Sequence, residues 1–350
     1  MRKRKLAVVL FNLGGPDGPE AVEPFLFNLF NDPAIIRVPQ PFRWLIAKII
    51  SGRRAPIAKE IYRHIGGGSP LLSLTQEQAR ALETELERRV IPAGNHVVPV
   101  EIRAFPVMRY WKPFAHDTAK AIKTWAPDEI ILLPLYPQYS TTTTASSLLD
   151  WSKAAKAVGL HTRAKTVCCY PTDERFIAAH VSLLREAIGK FRTRDEFRIL
   201  FSAHGLPKSV IARGDPYQAQ VEATCEAVMK ATGGGPFDWV TCFQSRVGPM
   251  EWIGPATDKE IERAGAESKS LIVVPIAFVS EHSETLVELD IEYAKLAKTH
   301  GVPRYLRVPA LGTTKEFIDC LAGLVSEARE SSGMICPEEA AGRPCGEVMR

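Results

Sequence analysis

Short apolar runs alternate along the chain with stretches of helical periodicity. Runs bounded by Gly, Pro or polar residues predict buried strands at Leu6–Phe11, Val98–Ala104, Glu129–Leu135, Thr162–Cys169, Arg198–Ala203, Trp239–Phe243, Leu271–Phe278 and Pro303–Val308. Between them, helical spacing of apolar residues predicts helices over Thr75–Arg89, Phe114–Thr124, Phe176–Phe191, Tyr217–Ala231, Asp258–Ala264 and Glu284–His300. Thr75-x-x-Gln78 and Thr257-x-x-Glu260 read as capping boxes at helix starts. Near-continuous apolar strands alternating with helices predict an α/β protein whose parallel sheets are covered on both faces.

The pattern is also doubled. Leu6–Pro16 (LAVVLFNLGGP) echoes Phe197–Pro207 (FRILFSAHGLP), and Ile130–Leu135 (IILLPL) echoes Leu271–Ile276 (LIVVPI), each followed by a polar turn and a helix. Aligning the prolines sets Leu13 opposite His204, Thr141 opposite His282 and Thr143 opposite Glu284. The alternative is a generic likeness between strand–turn–helix units. Duplication predicts two similar α/β halves facing each other across a cleft, with ligand bound beyond the carboxyl ends of the strands. The first half would then bring neutral, apolar groups, and the second a histidine and acids.

Composition narrows the function. Of 350 residues, 45% are hydrophobic and 24% charged, which is ordinary for a folded globular chain. The 44 Lys+Arg against 40 Asp+Glu leave a net charge of +4, too small and dispersed for a nucleic-acid binder. No run of apolar residues is long enough to span a bilayer as a helix. The opening MRKRK-LAVVLF has the polarity of a signal peptide, but it runs into Asn12-Leu13-Gly14-Gly15-Pro16 without a small-x-small site and reads as a first strand. Seven scattered cysteines, an odd number, fit a reducing cytoplasm rather than a disulfide scaffold.

Two turns carry the candidate chemistry. His204 closes a strand before Gly205 and Pro207, where loop residues concentrate function and an imidazole can take a proton or bind a metal. The second turn, Ser280-Glu281-His282-Ser283-Glu284, leads into a stretch in which Glu284, Glu288 and Glu292 stack on one face if it is α-helical. That row is either a solvated acidic face or a path for protons or a cation. Other metal spacing is weak: there is no HExxH or CxxC, Cys168-Cys169 sit on a strand, and Cys336 and Cys345 are far apart in a tail. Gly66-Gly67-Gly68 lacks the lysine of a phosphate loop and equally suits close approach of a flat ligand. In Ile35–Arg54, Phe42, Leu45, Ile46, Ile49 and Ile50 recur at helical spacing among Arg43, Lys48, Arg53 and Arg54. This basic amphipathic segment, with Trp44, suits either a membrane-facing lip or a cover for the core.

These turns resemble those of the ferrochelatases from about Leu6 to Ala328. The motifs occur in order: NLGGP (Asn12–Pro16), YRHIGGGSPL (Tyr62–Leu71), MRYWKP (Met108–Pro113), LYPQYS (Leu135–Ser140), SAHGLP (Ser202–Pro207), FQSRVGPMEWIGPATD (Phe243–Asp258) and FVSEHSETLVELDIEY (Phe278–Tyr293). The resemblance implies two Rossmann-like halves, each a parallel sheet flanked by helices, with the active-site cleft between them. It implies insertion of Fe2+ into protoporphyrin IX to give protohaem, the last step of haem biosynthesis, by a metal chelatase of the lyase class. The expected halves are 1–172 with about 309–330, and 173–308, followed by a tail at 331–350.

Carried over residue by residue, the resemblance makes His204 and Glu284 the catalytic pair and the candidate metal ligands. Glu281, His282, Glu288 and Glu292 become the acidic path, and Leu13, Arg109, Tyr136, Trp252 and Phe278 become porphyrin contacts. Leu13 is of the apolar type that favours protoporphyrin over coproporphyrin. Phe42, Trp44, Leu45, Ile46 and Ile49 form the expected lip. Fe2+ is a substrate, and no tightly bound cofactor is expected. Animal and some bacterial members hold a 2Fe-2S cluster, but the animal ligand position in the PQYS region is Thr141 here and the tail offers only Cys336 and Cys345, so a cluster is not expected; Cys168 and Cys169 would have to contribute to one. The expected location is the cytoplasm. Peripheral contact with the inner face of the membrane, or with the preceding enzyme of the pathway, is left open, as is oligomeric state. The rivals are a cobalt or nickel chelatase of a corrin precursor and a protein that binds haem without chemistry.

Overall fold

The structure is a computed structural model that describes residues 3–89, 100–192, 196–233, 237–246 and 248–336. Among these, the strands are β1 (Arg4–Asn12), β2 (Val100–Met108), β3 (Glu129–Pro134), β4 (Ala164–Val167), β5 (Phe197–His204), β6 (Asp238–Gln244), β7 (Ser270–Pro275), β8 (Tyr305–Arg307) and β9 (Met334–Ile335). The chain divides into two compact units. Described residues of the first come from Met1–Tyr136, Ser140–Cys169 and Ile318–Cys336, and those of the second from Pro137–Tyr139 and Tyr170–Phe317.

The first unit holds a parallel sheet in the order β2-β1-β3-β4-β9. Its centre is β1, which pairs Leu6 with Ile102 on one side and with Glu129 on the other. Leu6 to Phe11 are each at most 1% exposed, as an unbroken apolar run covered on both faces must be. Each such aliphatic side chain contributes about 1.5–3 kcal/mol by leaving water. Ala115, Ala119 and Ile122 of one helix (Ala115–Trp125) and Trp151 and Ala154 of another (Thr144–Val158) pack on Ala7, Val9 and Phe11.

The second unit repeats the plan with the order β6-β5-β7-β8, again all parallel. Leu200 of β5 packs with Leu271 and Val273 of β7 against Ile261, Ala264, Leu289 and Ala297. The order β2-β1-β3-β4 of the first sheet matches β6-β5-β7-β8 of the second, so the sequence echo reflects equivalent strands: β1 with β5, and β3 with β7. In each sheet the order reverses beside the central strand. A parallel sheet opens a crevice at that switch point, outside the carboxyl ends of the strands. In the first sheet those ends are Asn12 and Pro134, and in the second His204 and Pro275.

Several local expectations change. Val98 lies outside the described residues, and β2 starts at Val100. Neither capping box forms. The helix carrying Thr75 begins at Leu71, so Thr75 is internal; its hydroxyl donates to the Leu71 carbonyl (2.7 Å) and accepts from Asn12 Nδ2 (3.0 Å). Thr257 opens its helix, but its hydroxyl pairs with Ser202 Oγ at 2.9 Å. The stretch read as one helix over Glu284–His300 is a π-helix over Glu284–Tyr293 continued by an α-helix over Ala294–Thr299. The glycine turn at Gly66–Gly68 packs on the chain itself. A Cβ on Gly68 would sit 3.0 Å from the Asp17 backbone, and Ser69 N–H donates to the Pro16 carbonyl at 2.7 Å.

Candidate active site

The switch point of the second sheet brings the two predicted catalytic residues together. His204 is the last residue of β5, and Glu284 opens the π-helix that follows β7. His204 Nδ1 lies 3.0 Å from Glu284 Oε2, and His282 Nε2 lies 3.8 Å from the same oxygen. With Nδ1 turned to a carboxylate, the imidazole keeps its lone pair on Nε2. The Tyr217 hydroxyl donates to the His204 carbonyl at 3.1 Å and fixes the end of the strand. Gly205 comes next because a side chain has no room. A Cβ there would lie 3.0 Å from the Gln244 carbonyl and 3.3 Å from the Trp252 ring.

Burial disfavours a charged His204, but the Glu284 carboxylate outweighs it and holds the ring's pKa above its ordinary value. For Glu284 burial works against charge, and His204 and then His282 overcome it, so its pKa falls well below the ordinary range. Glu288 behaves oppositely: burial and then the Glu284 charge raise its pKa, against the pull of its hydrogen bonds. The site therefore sets an imidazole whose protonated form is favoured beside a carboxylate that keeps its charge, with a second carboxyl, one helical turn along, that takes a proton more readily.

Glu288 is held by residues that sequence reasoning missed. Gln244 Nε2 (2.9 Å), Ser245 N–H (2.8 Å), Ser245 Oγ (2.5 Å) and the Tyr293 hydroxyl (3.0 Å) all donate to it. Gln244 Nε2 also donates to the Glu284 carbonyl at 3.0 Å, and its own Oε1 accepts from Ser202 at 2.7 Å. Ser245 adopts φ +62°, a left-handed conformation that costs a non-glycine residue energy and aims its N–H at the carboxylate. The only sequence signal for this clamp was its place in the FQS motif at Phe243–Ser245.

The remaining acidic residues separate. Glu281 is a structural anchor: its carboxylate meets Arg307 Nη1 (2.5 Å) and the Ala310 N–H (2.9 Å). Glu292 is exposed, so the row of three stacked acids expected from an α-helix reduces to Glu284 and Glu288. The cause is the π-helix, whose i to i+5 bonding takes more residues per turn and breaks the i, i+4, i+8 alignment.

Of the expected porphyrin contacts, Trp252 and Phe278 belong to the second unit with the pair. Trp252 forms a backbone bridge with Pro207 and its ring lies near Gly205, and the Phe278 ring is 4.6 Å from the His282 ring. Leu13, Arg109 and Tyr136 belong to the first unit. Leu13 packs on a cluster including Val22, Phe25, Ala55 and Tyr110. The Tyr136 hydroxyl meets Ser147 Oγ at 3.5 Å. Arg109 is tied to Asp32 (2.7 Å) and Ser146 Oγ (2.7 Å). Asp32, unnoticed in the sequence, is a hub that also accepts from Tyr110 OH (2.9 Å), Ser146 Oγ (2.6 Å) and Ala34 N–H (2.8 Å).

The segment expected to form a lip is a helix over Phe42–Arg63 that buries its small residues, Ala47, Ser51 and Ala55. Its large apolar residues face outward: Phe42 is 65% exposed, Trp44 50%, Leu45 53% and Ile49 46%, with Ile46 half-buried. Among the described residues no helix is long and apolar enough to cross a membrane. The fit of the chain to a cluster or soft metal rests on sulfur. Cys168, Cys169 and Cys336 place their thiols within 4.8 Å of one another, while Cys345 lies outside the described residues.

Comparison with known proteins gives the context. A family model described as Ferrochelatase matches residues 5–329. The chain is 56% identical over 329 residues to a ferrochelatase of Phenylobacterium zucineum, spanning 94% of this chain and 93% of that one. It is 55% identical over 330 residues to one of Caulobacter vibrioides, spanning 94% and 91%. In fold it is similar to SirB from Bacillus subtilis with Fe3+ (TM-score 0.53, 12% identity, 93% of this chain and 95% of that one). It is likewise similar to the sirohydrochlorin chelatase SirB of Bacillus subtilis subspecies spizizenii in complex with cobalt (TM-score 0.51, 11% identity, 94% and 97%).

Proposed function

The chain belongs to the ferrochelatase family and inserts Fe2+ into protoporphyrin IX to give protohaem, with release of two pyrrole protons; within that reaction we propose that His204 is the proton acceptor and Glu284 its charge partner. The observation that carries this assignment is the 3.0 Å contact of His204 Nδ1 with Glu284 Oε2. It leaves Nε2 as the basic nitrogen and gives the imidazolium a counter-charge as it forms.

A free-base porphyrin holds its nitrogen lone pairs in the ring plane, so the ring must bend before a metal enters. Binding energy spent on the macrocycle offsets that strain. Trp252 and Phe278, flanking His204 and His282, supply aromatic surface for the grip. Leu13 and Tyr136 are assigned as porphyrin contacts at the switch point of the first sheet. Arg109 is assigned to shaping that surface, since Asp32 and Ser146 occupy its guanidinium. From His204 the charge passes toward Glu284 and then Glu288, whose raised pKa suits a proton store.

The alternative is that Fe2+ binds first at His204 and Glu284, Nε2 being the ring nitrogen left to take it while Nδ1 stays on the carboxylate. A weak, transient metal site also suits selectivity, because Cu2+ and Zn2+ outbind Fe2+ at most nitrogen and oxygen ligand sets. Zinc insertion is expected as a side activity. A corrin-type chelatase is disfavoured: the likeness to SirB is one of fold at 11–12% identity, against 55–56% to ferrochelatases.

The outward apolar residues of the Phe42–Arg63 helix, with Arg53 exposed beside them, support peripheral contact of a cytoplasmic enzyme with the inner face of the membrane. The deciding experiment mixes purified protein, protoporphyrin IX and Fe2+ without oxygen and follows the haem spectrum. Turnover that falls to background in His204→Ala supports the assignment, and haem formation by that variant at the wild-type rate refutes it.

A further inference from the structure

We infer that Tyr305 and Arg307, on the edge strand of the second sheet, are positioning residues that hold Glu284–Tyr293 in its π-helical register and so keep Glu284 on His204; the catalytic half of this inference rests on the Glu284 role proposed above. The π-helix follows β7, and the order β6-β5-β7-β8 puts β5 on one side of that strand and β8 on the other. The helix is gripped from both sides. From β5 and β6, His204 meets the Glu284 carboxylate at 3.0 Å and Gln244 Nε2 donates to the Glu284 carbonyl at 3.0 Å. From β8, Arg307 Nε and Nη2 donate to the two carboxylate oxygens of Asp290 (2.7 and 2.5 Å), and Nη1 donates to Glu281 (2.5 Å). One guanidinium therefore ties the turn before the helix to the helix's second half. The Tyr305 hydroxyl adds a bond to the Leu289 carbonyl at 2.8 Å.

Such a segment needs outside help. A π-helix is rare, and its i to i+5 bonds compete with the ordinary α-helical pattern over the same residues. The backbone does not complete the π pattern at its end. An i to i+5 bond would take the Ala294 N–H to the Leu289 carbonyl, but that N–H bonds Ile291, and the Tyr305 hydroxyl reaches Leu289 instead.

Register also sets direction. An α-helix turns about 100° per residue, so a change of turn rotates Asp290 relative to Glu284 by six times the per-residue difference. Only one register lets Glu284 meet His204 while Asp290 meets Arg307. The Arg307–Asp290 contact is demanding in this respect, because a two-pronged guanidinium–carboxylate pair fixes a plane as well as a distance. Arg307 is also well covered, its side chain being 11% exposed. All of these β8 bonds go to Glu281, Leu289 and Asp290, so their effect on the His204–Glu284 pair passes through the helix.

The test uses the full chain. Tyr305→Phe removes one hydroxyl and Asp290→Asn one charge, each at nearly constant shape. In hydrogen–deuterium exchange the peptide covering 284–293 should exchange about three- to tenfold faster in either variant, the size of one lost hydrogen bond, while peptides from β1 keep their rate. Arg307→Lys, which keeps the charge but not the fork, should also exchange faster there. Tyr305→Phe and Asp290→Asn together should lower kcat about tenfold and leave the KM for protoporphyrin IX within about twofold, since a misplaced group costs rate more than binding. Added to Glu284→Gln, the same two changes should alter kcat by less than about twofold, because the carboxylate they position is already gone. Exchange over 284–293 at the wild-type rate would overturn the clamp. An equal fall in kcat with and without Glu284→Gln, or a raised KM at unchanged kcat, would overturn its catalytic part. Faster exchange together with wild-type turnover by Glu284→Gln alone would support the clamp and refute the role proposed for Glu284, so the two failures are distinguishable.

Discussion

Replacing Glu284 by Gln removes one charge at nearly constant shape and isolates its effect on His204. Two unit charges 3.0 Å apart attract by about 1.4 kcal/mol in bulk-water screening and about 5.5 kcal/mol at an effective dielectric of ~20. The His204 side chain is 38% exposed and that of Glu284 26%, so the lower figure applies. About 1.4 kcal/mol is a factor of ten in rate if the carboxylate stabilises the imidazolium formed on proton transfer. The plateau rate of Glu284→Gln should fall about tenfold or more, with porphyrin binding largely kept. The sign of the pH effect is fixed. Glu284 holds the pKa of His204 up against burial. Without that charge, burial prevails, the neutral base persists to lower pH, and the acidic limb of kcat/KM moves downward. The pair's stabilisation is fully present only above the ordinary carboxylate value of 4.5, where Glu284 keeps its charge, and below the ordinary imidazole value of 6.5. It is lost as pH falls through the lowered Glu284 value or rises through the raised His204 value. The stability gap between wild type and variant, from denaturant melts, should therefore be widest in that window. Stopped-flow rates over a pH series decide the matter: a wild-type plateau, or an acidic limb that stays or moves upward, refutes the mechanism.

Three further outcomes follow from the geometry. Glu288→Gln should lower turnover several-fold while Glu292→Gln is silent in the same steady-state assay, because four donors hold Glu288 and Glu292 is exposed; equal effects would count against a two-carboxylate path. Leu45→Asp with Ile49→Asp should weaken co-sedimentation with anionic vesicles and leave the melting temperature within a degree or two, because both side chains already face solvent; unchanged vesicle binding would remove the lip. Asp32→Asn strips a buried carboxylate of the charge that pairs with Arg109 and should cost about 3–5 kcal/mol in guanidinium melts. A partial recovery is expected when Arg109→Met is added, and a loss below about 1 kcal/mol would show that Asp32 is not the hub its bonds suggest.

The switch-point residues were legible because they follow strand ends, and strand ends are marked by prolines and glycines at fixed offsets. Pro134 and Pro275 close equivalent strands and set Glu284 opposite Thr143, while Pro16 and Pro207 set His204 opposite Leu13, before any contact was known. What stayed hidden depends on partners distant along the chain. Asp32 looks like an ordinary turn residue, yet it reaches Arg109 and Ser146, 77 and 114 positions away. Thr75 fits a capping box by spacing alone, and only the fold shows its hydroxyl committed to Asn12, 63 positions away. Cys168 and Cys336 look unrelated until the register of β4 and β9 aligns them.

The π-helix was illegible for another reason. Over ten residues, apolar spacing fits a turn of 3.6 residues about as well as a wider one, and the choice rests on backbone bonding that no side-chain pattern records. That choice has a chemical consequence. An α-helix would line up three acids, with mutual repulsion along the row. The wider turn keeps Glu284 on the histidine and Glu288 in the clamp of Gln244, Ser245 and Tyr293, while Glu292 goes to solvent. The two half-buried carboxyls thereby have their pKa values pushed in opposite directions. The first sheet places Leu13 where the second places His204, so equivalent turns of the two units carry an apolar side chain in one and an imidazole in the other.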